Sequence, residues 1–146
     1  ISSYIPVMSK NTGKPSEVAF VARYRKLGKR CFVYRFRDMS DLFGMNGGKR
    51  MKLPPLPSDY LVVVNGATHF AEVKSTQDPR AFRFSMLSKD QWAAAIKITA
   101  ALGTYMIYVH NLLNDTWYKV PFSYCTITKD AGMNSLSWKE MDQFRW

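Results

Sequence analysis

Three side chains in the middle of the chain have the types and spacing to do chemistry together. Asp59 stands just ahead of an apolar run, Tyr60 to Val64. Asn65-Gly66 follows, and Glu72 and Lys74 sit two positions apart on the next run. Carboxylates from two chain segments are the oxygen donors that magnesium takes, with water completing its shell. A cation held in this way neutralises a phosphate, lowers the pKa of a bound water and fixes in-line attack. An ammonium group beside it orients the water and offsets charge that develops in the transition state. The set therefore suits metal-assisted hydrolysis of a phosphodiester. Glu-x-Lys strings are also common as solvent-facing charge pairs on edge strands. The preceding Asp59, the tight turn and the charge of the whole chain favour the chemical reading.

The elements around these residues decide whether they can meet. Asp59 and Glu72 are 13 positions apart, with Asn65-Gly66 about midway. Asn-Gly between alternating apolar residues is a strong two-residue hairpin signal, so an antiparallel pair at 60–64 and 69–74 brings the carboxylates close. Side chains alternate across a strand, which puts Glu72 and Lys74 on one face and Val73 on the other. A helix is expected over about 15–27, with Phe20, Val21, Tyr24 and Leu27 as its buried stripe and Gly28 at its end. Glu17 lies on that stripe. A carboxylate there needs a partner, and a bound metal would supply one; its other role is a favourable charge near a helix N-terminus. A strand is expected at 31–37, and a long Gly- and Pro-rich basic arm at 38–58. Ser88 followed by Gln91 makes a capping box that opens a helix over about 89–102. Trp92, Ala95, Ile96, Thr99 and Leu102 are expected on its packed face, and Gly103 at its end. Gln91 has a structural role in that box and a possible second role beside the carboxylates. Strands at 104–110 and 116–120 follow, then a short helix capped by Ser137 that carries Trp138, Met141 and Phe144. The segment 75–87 reads as a polar connection, and 1–12 as a loose arm. This order specifies an α/β or α+β domain with a mixed central sheet.

Charge narrows the partner. The chain of 146 residues carries 21 Lys and Arg against 11 Asp and Glu, a net charge of +10. Such an excess points to a polyanion, either nucleic acid or an anionic membrane surface. The longest apolar run, 92–109, is broken by Lys97, Thr99, Gly103 and Thr104, so it reads as helix then strand and not as a membrane span. Candidate phosphate contacts are Lys49, Arg50 and Lys52 in the arm, Arg35 and Arg37 on the first strand, Arg80 and Arg83 after the hairpin, and the hydroxyls of Ser75 and Thr76. Any one of these is ordinarily a solvated surface residue. A further basic group runs from Arg23 to Arg30. No recognition helix or zinc finger is evident, which favours recognition of DNA shape over base reading. Cys31 and Cys125 lack metal-binding spacing and read as free thiols. His69 and His110 read as structural. No leader peptide is visible, so the expected location is the cytoplasm of a bacterial, archaeal or phage-infected cell, with nucleus or organelle left open.

These residues carry a family resemblance. Pro57-Ser58-Asp59 followed by Glu72-Val73-Lys74 resembles the split PD-(D/E)XK nuclease signature, with the proline one position further from the aspartate than in its simple form. The segment 70–76, Phe-Ala-Glu-Val-Lys-Ser-Thr, is similar to Holliday-junction resolvases of the archaeal and recombination-protein-U types. The similarity spans about 13–121 and is thin outside the hairpin. It implies a restriction-endonuclease-like mixed sheet flanked by helices, with a projecting basic arm, in a single nuclease domain over 1–146. It also implies a Mg2+-dependent homodimeric enzyme (Mn2+ is a possible substitute) that cuts branched DNA such as four-way junctions. Asp59, Glu72 and Glu17 would hold metal, Lys74 would position water and Gln91 would assist. The alternatives are a restriction-like or repair nuclease of the same fold, or a DNA-binding protein without catalysis.

Overall fold

The Asn65-Gly66 turn fixes the register of the sheet. Both residues have positive φ, 50° and 82°, the backbone that a two-residue type I′ hairpin requires. The computed structural model describes residues 13–37 and 55–146. The expected arm at 1–12 lies outside these, as do Lys49, Arg50 and Lys52. From the turn, β2 (Tyr60–Val64) pairs antiparallel with β3 (Ala67–Thr76), from Val64↔Ala67 to Tyr60↔Ala71. β1 (Cys31–Arg35) adds antiparallel on the outer side of β2. On the other side β5 (Tyr105–Asn111) pairs parallel with β3, and β6 (Thr116–Pro121) returns antiparallel along β5. The result is a mixed five-stranded sheet in the order β1-β2-β3-β5-β6.

Helices cover both faces. α1 (Gly13–Arg25) packs on one, where Phe20 and Tyr24 meet Tyr60, Val62, Ala71, Val73 and Tyr108. Gly28, with φ 59°, turns the chain after it. α2 (Lys89–Ala100) packs on the opposite face, with α3 (Phe122–Asp130) beside it. A second, two-stranded sheet closes this side: β4 (Ala81–Arg83) pairs antiparallel with β7 (Ser135–Ser137). Ser137 then caps the short α4 (Trp138–Met141), accepting from the Glu140 amide at 3.1 Å. Phe82, Leu136 and Met141 are fully buried beneath these pieces.

Several sequence expectations are corrected. The polar connection at 75–87 holds the end of β3, all of β4 and a single 3-10 turn at Phe84–Met86, because Phe82 and Phe84 are core residues. α3 was not expected. Its Thr, Ile, Tyr and Phe content is strand-like, yet Phe122 and Cys125, three apart, both face the core and impose the helix. The packed face of α2 runs through Trp92, Ala95 and Ile98, while Ile96 is 46% and Leu102 94% exposed. Leu102 adopts φ 66° and makes the chain reversal assigned to Gly103. Gly103 answers a different need: a Cβ there would lie 2.8 Å from the Ile98 Cγ2 methyl and 3.0 Å from its carbonyl oxygen. Residues 55–58, placed in the arm, lead directly into β2. Ser58 is buried there and donates to the Tyr60 carbonyl at 2.8 Å. Among the described residues no helix is long and apolar enough to cross a membrane.

Candidate active site

The site forms where the hairpin opens. Extending the β2–β3 register one step beyond Tyr60↔Ala71 places Asp59 opposite Glu72. Asp59 Oδ2 accepts from the Val73 amide at 2.9 Å, which ties the start of β2 to the strand that carries the other groups. Val73 turns into the core beneath α1, so Glu72 and Lys74 project toward α2. Lys74 Nζ stands 3.6 Å from Glu72 Oε1, and Glu72 is only 2% exposed. The two carboxylates and the ammonium therefore occupy one place, as the hairpin predicts.

A buried carboxylate needs partners. Glu72 takes them from two elements besides β3. Gln91 Nε2 donates to Glu72 Oε1 at 2.9 Å. The same Gln91 closes the capping box of α2: its Oε1 accepts from the Ser88 amide at 2.9 Å, and Ser88 Oγ accepts from the Gln91 amide at 3.1 Å. One side chain thus closes the cap and donates to Glu72. Tyr105, at the start of β5, donates to the Pro57 carbonyl at 3.0 Å and reaches Glu72 Oε2 at 3.5 Å. Sequence reasoning missed Tyr105, since only the parallel β3–β5 pairing puts it there.

Burial first, and the charge of Asp59 second, push the Glu72 carboxyl well above the ordinary carboxylate range, while Lys74 pulls it back. Two like charges in one buried place favour a cation or a proton between them. The donor set suits a hard divalent ion: one or two carboxylates plus waters are what magnesium takes. Asp59 and Glu72 would be its protein ligands.

Glu17 approaches from the other face of the sheet. Its Oε1 accepts from the Tyr60 hydroxyl at 3.5 Å. Burial and then Asp59 raise its pKa, with Arg35 opposing. Burial, then Glu17, push the Tyr60 phenol up to about 12. Among the described residues no three His, Cys, Asp or Glu side chains converge as a metal-holding group. Glu17 is thus an electrostatic neighbour of the pair, close to the opening and not joined to it.

The chain was compared with known proteins. No family model and no curated protein matches it. Solved structures do. The structure of Archaeoglobus fulgidus Hjc, a Holliday junction resolvase from an archaeal hyperthermophile, superposes over 76% of this chain and 78% of that one, with a TM-score of 0.50. This chain has the restriction-endonuclease-like fold. The two sequences are 17% identical, so the likeness is one of architecture. In this restriction-endonuclease-like sheet the carboxylates sit where the central hairpin opens between two helix N-termini, those of α1 and α2.

The expected phosphate contacts are less uniform. Arg35 is exposed at the end of β1, opposite Tyr60, and Arg37 is exposed just beyond it. Arg80 is exposed, and its backbone amide donates to Asp78 Oδ1 at 2.8 Å. Arg83 Nε lies 2.6 Å from Asp78 Oδ2, so its guanidinium already holds a partner. Ser75 and Thr76 do not act as a pair, because successive strand residues point to opposite faces. Thr76 is buried, and its Oγ1 accepts from the Asp78 amide at 3.0 Å, holding the turn that follows. The two histidines are held by internal partners. His69 Nε2 is 2.7 Å from the Tyr108 hydroxyl, and His110 bridges Ser16 and Asp115. Cys31 and Cys125 are free.

Proposed function

We propose that this chain is a metal-dependent endonuclease that hydrolyses phosphodiester bonds in DNA and selects branched structures, four-way junctions foremost. The observation that supports it is the meeting of Asp59 and Glu72 across the hairpin, with Lys74 at 3.6 Å from Glu72. Bound there, Mg2+, or Mn2+ in its place, would supply charge neutralisation and a more acidic water. Asp59 and Glu72 hold that charge at the strand opening. Lys74, on the same face as Glu72, orients the attacking water and stabilises the extra negative charge of the transition state. Gln91 fixes the Glu72 carboxylate from α2. Glu17 adds negative potential beside Asp59 and Tyr60. The nuclease core is assigned to 13–121 within one domain. Symmetric cutting of a junction needs two such sites, so the working form is a C2 homodimer.

A labelled four-way junction incubated with magnesium, and in parallel with chelator, tests this. Paired cuts that need the metal support it. Asp59→Asn or Lys74→Ala should abolish cutting and leave junction binding intact. Cutting that survives either change refutes the site. A panel of duplex, flap and splayed substrates tests the preference: equal cutting of linear duplex would leave a nuclease but remove the resolvase reading.

A further inference from the structure

A groove of about 740 Å³ runs between α1 and the free edge of the sheet. Lys14 and Arg25 line it from α1, Lys26 from the turn that follows and Arg35 from β1. Its floor is apolar, with Val18, 70% exposed, and Val21. Glu17 and Tyr60 also line it, and both act electrostatically on one another and on the Asp59 neighbourhood. One end of the groove, at Glu17 and Tyr60, therefore lies next to Asp59, the residue that precedes Tyr60. Among the described residues none of its four cations forms a salt bridge. Glu17 is the one acid in its lining, at the end nearest Asp59. Like charges that surround a concave surface repel until a polyanion enters.

We infer that this groove holds the phosphate backbone of the strand being cut and delivers it to Asp59 and Glu72. The inference rests on the reading of those carboxylates as the cleavage site. Dimensions agree with it. Lys14 and Arg25 are separated by about 17 Å along the helix, at 1.5 Å rise per residue. Phosphates of one strand advance about 3.4 Å each along the duplex axis, so a groove aligned with that axis spans about five. The apolar floor suits the carbon faces of deoxyriboses while the flanking cations meet the phosphates. The groove also accounts for basic residues on α1 that the catalytic geometry does not use. It places the DNA track on the α1 side of the sheet, away from Arg83, whose charge is engaged by Asp78.

The double substitution Arg25→Gln with Lys26→Gln removes two groove charges from exposed positions far from the carboxylates. Lys97→Gln with Lys139→Gln removes the same net charge from exposed sites outside the groove. Binding of a fluorescein-labelled four-way junction is followed by anisotropy in chelator, over a range of salt. The groove variant should lower the slope of log K against log salt by about 1.8, at about 0.9 per phosphate contact. The control pair should change it by less than half as much. Equal changes in the two variants, or no change in the groove variant, would overturn the assignment. So would displacement of the junction by polyglutamate at matched charge, which would mark the groove as a site for acidic peptides. Matching far-UV circular dichroism secures the comparison of folded proteins. Because binding is measured in chelator, a wild-type protein that fails to cut in magnesium removes the nuclease reading and leaves the slope comparison standing. A protein that cuts with an unchanged slope removes only the groove.

Discussion

Ser88→Ala and Gln91→Ala separate two roles that meet at the start of α2. Ser88 touches only the cap: its hydroxyl accepts from the Gln91 amide at 3.1 Å. Its loss should cost about 1 kcal/mol, the usual effect of removing an N-cap hydroxyl. Gln91 closes the same box and also donates to Glu72 at 2.9 Å. Glu72 is 2% exposed, so the missing donor is not readily replaced by water. Leaving a buried acceptor without its donor costs about 1–3 kcal/mol. Adding the lost return bond of the cap, and deducting a few tenths for the better helix propensity of alanine, gives about 2–4 kcal/mol for Gln91→Ala. Urea unfolding in chelator measures both values. Cleavage of a labelled junction in magnesium provides the second readout. Gln91→Ala should lower the rate about 10–100-fold, as expected when a group that orients a metal-binding carboxylate is removed. Ser88→Ala should cut at the wild-type rate. Equal losses of stability and of rate in the two variants would show that Gln91 is a cap and nothing more.

Magnesium should stabilise the folded protein through Asp59 and Glu72, by about 2.7 kcal/mol at a hundred times its dissociation constant. A thermal shift in Asp59→Asn as large as in wild type would refute the assigned ligands. His69 predicts an acid-sensitive fold. Burial, then the Lys119 charge, push its pKa from 6.5 down to about 4, so the folded protein prefers the neutral ring. That stability is whole above about pH 6.5 and is lost as pH falls toward 4, up to about 3 kcal/mol from this group. His69→Gln should flatten the dependence, and parallel wild-type and variant curves would contradict the assignment. Leu102→Gly should raise the melting temperature by the equivalent of about 0.5–1 kcal/mol, since φ 66° is strained for leucine and the side chain is 94% exposed. Gly103→Ala should lower it, because the new methyl meets Ile98 at 2.8 Å.

Local features were legible in the sequence. Asn-Gly turn chemistry and period-two alternation set the β2–β3 register, and the register alone places Asp59 opposite Glu72. The Ser88–Gln91 box and the Ser137 cap are likewise short-range, with donor and acceptor three residues apart. Locally coded order fails where tertiary burial overrides propensity. α3 is helical despite strand-like residues because Phe122 and Cys125 must both reach the core. The exposure of Leu102 follows from where α2 ends against the sheet, which its apolar spacing does not encode.

The sequence by itself determined the pair of carboxylates, the lysine beside them and the basic excess that suits a polyanion. The tertiary structure decided what surrounds them. Gln91 reaches Glu72 across 19 positions, and Tyr105 reaches it across 33. Glu17 lies 43 positions from the Tyr60 hydroxyl that holds it. The α1–β1 groove exists only once a helix is laid along a sheet edge. The physical reason is the range of the interactions. A hairpin closes through its own turn and alternation, whereas the parallel β3–β5 pairing and the seating of two helices depend on which apolar faces bury against each other, and sequence separation carries no record of that.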